Sequence, residues 1–129
     1  MRHEQFTIKA REAITDALQL AGKLGNPEVR PQHLLMTLLD QKKSVVEKLL
    51  SHIGVSVDAF RREAAVLVDK LPKTSGSAKS NRSRQFDEVL RAAQSLQKEM
   101  NDTHIASEIL FTAIESVTDK TKQLMRDLA

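Results

Sequence analysis

Histidines and carboxylates most often carry acid–base or metal chemistry in proteins, and their spacing in this chain favours neither. The 129 residues include no cysteine and four histidines, His3, His33, His52 and His104. These histidines form no HExxH pair and no other ligand spacing, so a metal site is not predicted. The carboxylates fall mostly beside Lys or Arg on polar faces, and no Ser–His–acid set can be assigned from spacing.

Nucleotide chemistry is not predicted either. The chain has four glycines and contains neither a GxGxxG nor a P-loop pattern that would hold phosphates. His33, between Gln32 and Leu34, is interpreted as a hydrogen-bonded packing histidine rather than a catalytic one. This segment is therefore predicted to be no enzyme and to hold no cofactor.

Composition indicates a single folded domain, 1–129. The chain is 40% apolar and 29% charged, which is typical of a globular protein with a real core. No apolar run approaches the roughly 20 residues of a membrane span, and the first residues lack a signal-peptide core. We therefore expect a cytoplasmic location and no membrane partner.

A pattern of helix, break and helix occurs twice in the chain. Residues 13–39 and 89–115 share their apolar positions and a polar interruption of equal length when the sequence is shifted by 76 positions. The matched pairs include Ala13 with Val89, Ile14 with Leu90, Ala17 with Ala93, Val29 with Ile105, and Leu34 with Leu110. Two such units predict a pseudo-twofold helical domain.

Periodicity and capping signals predict an all-α bundle of seven to eight short helices. Strand signals are nearly absent. Thr7 is a candidate N-cap, Ser44 and Glu47 fit a capping box, and Gly25 fits a helix stop. The inward stripes are expected to include Ile8, Leu18 and Met100. The predicted helices cover about 6–24, 31–40, 44–53, 56–71, 85–100, 107–116 and 119 onwards.

Residues 73–84 form a Ser-rich segment with four basic residues, no acid and only one apolar residue, an alanine. Because such a segment buries little apolar surface, it is predicted to be a mobile linker between repeats 1–72 and 85–129. Trypsin is expected to cut first at Lys79, Arg82 or Arg84.

Several segments resemble the double Clp-N repeat found at the N-terminus of ClpB-type AAA+ disaggregases. Residues 29–35, VRPQHLL, resemble the family's I-x-P-x-H-L-L motif. Residues 71–76, LPKTSG, resemble the segment between its repeats, and residues 102–110 resemble the entry to its second repeat. The resemblance spans nearly the whole chain.

The resemblance implies a compact all-α domain of two Clp-N repeats that recognises clients for an ATP-dependent machine. Its partners would be unfolded or aggregated polypeptides. ATP and Mg²⁺ would belong to ATPase modules of a hexameric parent, whereas the isolated domain is expected to be monomeric. An alternative is an adaptor-docking domain of another Clp ATPase, or a free-standing Clp-N protein. A nucleic-acid accessory role through 73–84 is the weaker third hypothesis, since the chain has neither Trp nor Tyr.

The resemblance also implies a substrate-binding groove. Its functional polar positions match Thr7, Asp102 and Glu108, and its apolar lining matches Leu90 and Ile109. Each residue has a plainer interpretation as well: Thr7 fits a helix cap, the two acids fit a helix N-terminus, and Leu90 fits core packing. The chain departs from the family at Ala92, where a larger apolar residue is common, which implies a shallower groove.

Overall fold

The computed structural model describes residues 3–74 and 80–128. A 3₁₀ turn at His3–Gln5 opens this described part. It is followed by α1 (Ile8–Lys23), α2 (Pro31–Asp40), α3 (Val45–His52), α4 (Val57–Asp69), α5 (Arg84–Glu99), α6 (Ser107–Val117) and α7 (Asp119–Leu128). Two strands of two residues, β1 (Glu28–Val29) and β2 (Asn81–Arg82), complete it. The prediction of an all-α bundle with seven to eight helices is confirmed.

Hydroxyl side chains start four of the helices. Each accepts a hydrogen bond from the backbone N–H three residues later, which satisfies one of the free donors of a helix start. These caps are Thr7, Ser44, Ser56 and Ser83. Pro31 begins α2, where its missing N–H has no consequence, as predicted.

The predicted capping box of α3 is only half present. Ser44 Oγ accepts from the Glu47 N–H at 3.3 Å and donates to the Leu38 carbonyl at 2.7 Å. The Glu47 carboxylate turns instead to Arg61, at 3.1 Å. The reciprocal bond to the Ser44 N–H is therefore replaced by an ion pair between α3 and α4.

The two repeats are joined by crossed backbone pairs that obey the pseudo-twofold relation. The Thr7 N–H donates to the Ile105 carbonyl at 3.0 Å, and the Ser83 N–H donates to the Val29 carbonyl at 2.9 Å. Thr7 and Ser83 are matched positions in the two repeats, as are Val29 and Ile105. The segment before the first helix of each repeat therefore pairs in parallel with the segment before the second helix of the other repeat.

The core lies between the second helices of the two repeats and their neighbours. Leu34, Leu38, Leu110 and Ile114 are fully buried. α1 packs through an alanine face, which allows close approach of its backbone. The face consists of Ala10, Ala13, Ala17 and Ala21. In the described part of the chain, no helix is long and apolar enough to cross a membrane.

Three residues expected in the inward stripes are exposed instead. Ile8 is 67%, Leu18 is 40% and Met100 is 58% exposed. Ile8 starts α1 and lies outside the arc of the alanine face, Leu18 lies one residue beyond Ala17, and Met100 is the C-cap of α5. The predicted stripes were wrong here because apolar periodicity alone made them too wide.

Both ends of the predicted linker are hydrogen-bonded to the 25–29 segment. The Thr74 N–H donates to the Gly25 carbonyl at 2.8 Å, and the Asn81 N–H donates to the Pro27 carbonyl at 3.0 Å. Backbone pairing of this kind needs no apolar side chain, which is why a composition argument did not predict it. Residues 75–79, including Lys79, lie outside the described residues, and the mobility of the segment stays a prediction.

Candidate functional site

An open cleft lies between α1 and α5, on the side of the α1 start. Its inner part, of about 150 Å³, is lined by Phe6, Arg11, Ile14, Thr15, Leu18, Arg82 and Leu90. It continues along α5, past Asp87, Arg91 and Gln94. In the other direction it reaches Glu4, Thr7, Ile8 and His104. The inner part is smaller than a typical small-molecule site, and its size suits one or two inserted side chains.

The lining of the inner part and of the α5 side consists of matched positions from the two repeats. Every pair is separated by 76 residues, so the cleft obeys the pseudo-twofold relation between α1 and α5. The pairs are Phe6 with Arg82, Arg11 with Asp87, Ile14 with Leu90, Thr15 with Arg91, and Leu18 with Gln94. The cleft is thus a consequence of the repeat, formed where the first helices of the two units face each other.

Thr7 lies at the outer part of the cleft. Its hydroxyl caps α1 by accepting from the Ala10 N–H at 3.2 Å, and its own N–H is bonded to Ile105. This backbone bond brings the start of α1 against the 101–109 segment. Thr7 therefore has a structural role, and it also faces the cleft.

Leu90 and Ile109, the two predicted floor residues, occupy different environments. Leu90 is 6% exposed and lies at the boundary between cleft and core. Ile109 is 2% exposed and packs in the core, away from the lining of the cleft. The structure brings Leu90 into the candidate site and leaves Ile109 out of it, because Ile109 faces inward from the first turn of α6.

The two predicted rim acids are exposed but lie outside the lining of the cleft. Asp102 comes directly after the turn at Asn101, and Glu108 lies in the first turn of α6. Among the described residues, neither carboxylate forms an ion pair. Their proposed contact with clients stays a prediction, as does that of the other site residues.

Sequence reasoning missed the apolar residues that α1 contributes to the cleft. The predicted inward stripe of helix one includes Ile14 and Leu18, but Ile14 is only half-buried and Leu18 is 40% exposed. A signal was available: Ile14 and Leu18 form a second stripe beside the alanine face, and Ile14 is the repeat partner of Leu90. Arg82 was missed because it was placed in the linker.

Arginines dominate the charge of the cleft. Arg82 Nε forms an ion pair with Asp87 Oδ1 at 3.2 Å, and its side chain is still 57% exposed. Arg11 is half-buried and Arg91 is exposed; neither has an acidic partner among the described residues. Along the inner part and the α5 side, three arginines thus face one aspartate.

His33 belongs to a buried network rather than to a site. Its Nδ1 accepts from the Arg30 N–H at 2.9 Å, so Nε2 carries the proton and donates to Asn26 Oδ1 at 2.8 Å. Asn26 Nδ2 in turn donates to the Pro72 carbonyl at 2.9 Å. Burial lowers the pKa of His33 to about 4, and the charge of Arg30 acts in the same direction. The prediction of a packing histidine is confirmed.

No group of three or more His, Cys, Asp or Glu side chains within residues 3–74 and 80–128 is arranged to hold a metal ion. The inner part of the cleft offers apolar side chains and guanidinium groups, and guanidinium groups bind carboxylates.

A family model described as the Clp repeat (R) N-terminal domain matches residues 5–128. The chain belongs to this family. Two similar relatives are the chaperone proteins ClpB of Corynebacterium diphtheriae, 40% identical over 121 residues, and of Mycobacterium leprae, 39% identical over 109 residues. The alignments cover 92% and 84% of this Clp-N chain, which spans only 14% and 13% of the two relatives.

Solved Clp-N structures share the fold at low identity. The Hsp104 N-terminal domain from Candida albicans has a TM-score of 0.87 at 20% identity, covering 96% of this chain and 81% of that one. A complex of the ClpV N-domain with a VipB peptide has a TM-score of 0.80 at 22% identity, covering 98% and 80%. The compact all-α Clp-N architecture is thus shown by sequence family and by structure together.

Proposed function

We propose that this domain is the client-recognition domain of a ClpB-type, ATP-dependent disaggregase, and that it binds exposed apolar segments of unfolded or aggregated proteins in the α1–α5 cleft. The ClpB relatives at about 40% identity support the parent. The cleft supports the activity because it leaves Leu18 exposed beside Leu90. In this proposal, ATP hydrolysis and hexamer formation belong to the rest of the parent.

The observation that carries the proposal is the wall of apolar side chains on α1. Ile14 is only half-buried and Leu18 is 40% exposed, although apolar side chains gain about 25 cal/mol for each Å² removed from water. An extended client that inserts one or two side chains would bury them. Since the cleft is small and ordering a flexible client opposes binding, we expect micromolar or weaker affinity.

The test is binding of a fluorescein-labelled, neutral peptide with four Leu or Val residues among Ser and Gln, monitored by fluorescence anisotropy. We expect Leu18→Gln to weaken binding about fivefold, since about 1 kcal/mol of apolar contact is lost. Leu90→Ser should weaken it further, with circular dichroism as the control for folding. Ile53→Gln is the matched control, because Ile53 is 53% exposed but lies at the end of α3.

Unchanged binding in folded Leu18→Gln and Leu90→Ser variants would place client binding elsewhere on the domain. Loss of helicity in Leu90→Ser alone would instead show that Leu90 is chiefly a core residue. Leu18→Gln still decides in that case, because Leu18 is 40% exposed and its substitution leaves the core intact.

Adaptor docking is the second candidate, favoured by the solved complex of a ClpV N-domain with a VipB peptide. A folded adaptor recognised through charged helix surfaces should dissociate as salt is raised. Apolar capture in the cleft should persist at 500 mM salt. If the neutral peptide binds at low salt but no longer binds at 500 mM salt, the result would therefore favour the adaptor hypothesis.

A further inference from the structure

We infer that the α1–α5 cleft selects apolar client segments that carry acidic residues, with apolar side chains against α1 and carboxylates against α5. The inference rests on the proposed function and adds the chemistry of the preferred client. It comes from a difference between the two walls of the cleft. The walls consist of matched backbone positions of the two repeats, but these positions carry different side chains.

The α1 wall is apolar. Its apolar residues are Phe6, which precedes α1, and Ile14 and Leu18 on α1, and Arg11 and Thr15 are its charged and polar members. The matched positions on the opposite side, called the α5 wall, are Arg82 on β2 and Leu90 and Gln94 on α5. Only one of these three is apolar, so a client lies between an apolar side and a polar side.

The α5 wall offers cations that a carboxylate can reach. Arg82 is paired with Asp87 only through Nε, and its guanidinium, which carries five N–H donors, is exposed to a client carboxylate. Arg91 is exposed, without an acidic partner among the described residues. Arginine binds carboxylates through two parallel hydrogen bonds, which makes these two residues suited to Asp and Glu side chains.

Acidic residues near the cleft do not cancel this preference. Asp87 is already engaged by Arg82, and Glu4 lies at the outer end of the cleft beside His104. Asp102 and Glu108, whose carboxylates would attract basic clients if they formed the rim, lie outside the lining. The arginines of the cleft predict a preference for acidic clients, whereas a rim formed by Asp102 and Glu108 predicts a preference for basic clients. One experiment distinguishes these two predictions.

Three peptides with identical apolar residues and two interspersed Glu, Gln or Lys residues are the probes, titrated by anisotropy at 50 mM salt. Each exposed pair contributes modestly, so we expect the Glu peptide to bind about five- to tenfold tighter than the Lys peptide. The ratio should fall below about twofold at 500 mM salt, where the screening length is only a few ångströms.

Charge reversal of one arginine identifies the source of the preference. Arg91→Glu should abolish or invert the ratio between Glu and Lys peptides, while the Gln peptide binds as before. Arg62→Glu is the matched control: it changes net charge equally, but Arg62 is exposed on α4. Arg82→Ala should reduce the ratio without inverting it.

Equal binding of the Glu and Lys peptides, or tighter binding of the Lys peptide, would overturn the inference. An equal response of the ratio to Arg91→Glu and Arg62→Glu would also overturn it, because the effect would then be one of net charge. Neither result bears on the proposed function, which fails only if the Gln peptide is insensitive to Leu18→Gln and Leu90→Ser.

Discussion

The two repeats break their first helix with the same backbone geometry and stabilise the break by different side chains. Gly25 and Asn101 occupy matched positions with φ of 73° and 57°. The next N–H in each repeat reaches back to a matched carbonyl, from Asn26 to Ala21 at 2.9 Å and from Asp102 to Gln97 at 3.0 Å. The backbone motif is therefore shared by the halves, even though glycine is present in only one.

The difference lies in the residues directly after this turn. In the first repeat, Asn26 is buried and connects His33 to the Pro72 carbonyl. In the second, its partner Asp102 is exposed, and Ile109 occupies the position of His33. A buried polar network ties the first repeat to the chain beyond α4, whereas the second repeat has an apolar contact and an exposed carboxylate.

This difference teaches that one backbone motif can serve two purposes. A buried polar group must be fully hydrogen-bonded, so the first break is intolerant of change. The second break has no such requirement, and its acidic residue is available for contact with other molecules. Substitutions at the two breaks should therefore differ in their effect on stability.

The largest expected effect is at the paired positions Asn26 and Asp102. Asn26→Ala removes an acceptor from the His33 Nε2–H and a donor from the Pro72 carbonyl. We expect a loss of about 3 kcal/mol in the free energy of unfolding, since a buried polar group left without a partner costs about 1–3 kcal/mol. Asp102→Ala should change it by less than about 0.5 kcal/mol, as for most surface substitutions. Urea denaturation monitored by circular dichroism measures both.

Similar losses for the two variants would contradict the contrast between the breaks. Asn26→Asp is an informative third variant, because it retains an acceptor for His33 while it loses the donor to Pro72. If the bond to the Pro72 carbonyl contributes, Asn26→Asp should have a free energy of unfolding below that of wild type and above that of Asn26→Ala.

The second-largest expected effect is a dependence of stability on pH, caused by His33 in the first repeat. Burial holds the pKa of His33 at about 4 in the folded state, against 6.5 in the unfolded state. The unfolded state thus binds more protons between these values, and stability falls as pH decreases through 6.5. We expect a loss of about 2 kcal/mol between pH 7.5 and 4.5, measured by urea denaturation at each pH.

Substitutions of single histidines show which residue causes this dependence of stability on pH. His33→Gln should be less stable at pH 7.5, and its stability should change less with pH. His52→Gln and His104→Gln are the controls, because both side chains are exposed and the slope should persist in them. A slope that survives in His33→Gln would show that other groups titrate.

Much of the fold could be predicted because its signals are local. The cap at Ser56, the proline that begins α2 and the helix stop at Gly25 each depend on residues within one turn of the chain. The repeat added a long-range expectation, and the bond between Thr7 and Ile105 confirms that the two repeats meet there.

The cleft could be predicted only in part, since exposure depends on packing between distant segments. Periodicity does not distinguish the alanine face of α1 from the adjacent stripe with Leu18. Likewise, the pairing of Arg82 with Val29 is made by the backbone and leaves no apolar trace in the sequence. The stop at Asn101, by contrast, agrees with the predicted helix end at residue 100, and asparagine tolerates positive φ better than most residues do.

The smallest expected effects are at the two caps that start α1 and α5, and they test whether Thr7 does more than its partner Ser83. Both hydroxyls accept from the N–H three residues on, at 3.2 Å for Thr7 and 3.0 Å for Ser83. Substitution of either by Ala should lower the free energy of unfolding by about 1 kcal/mol. Ser83→Ala should be the more costly, because Ser83 is only 3% exposed and water cannot easily replace its oxygen.

Measurements of peptide binding show whether Thr7 contacts clients or only caps α1. Thr7→Ser keeps the cap and the hydroxyl but loses the methyl group, so its stability should stay within about 0.5 kcal/mol of wild type. If Thr7 contacts clients, Thr7→Ala should weaken binding of the neutral peptide while Ser83→Ala, with an equal or greater loss of stability, does not. If both variants remain folded and bind the peptide equally, Thr7 is a helix cap alone, and its place beside the cleft is a consequence of the helix that it starts.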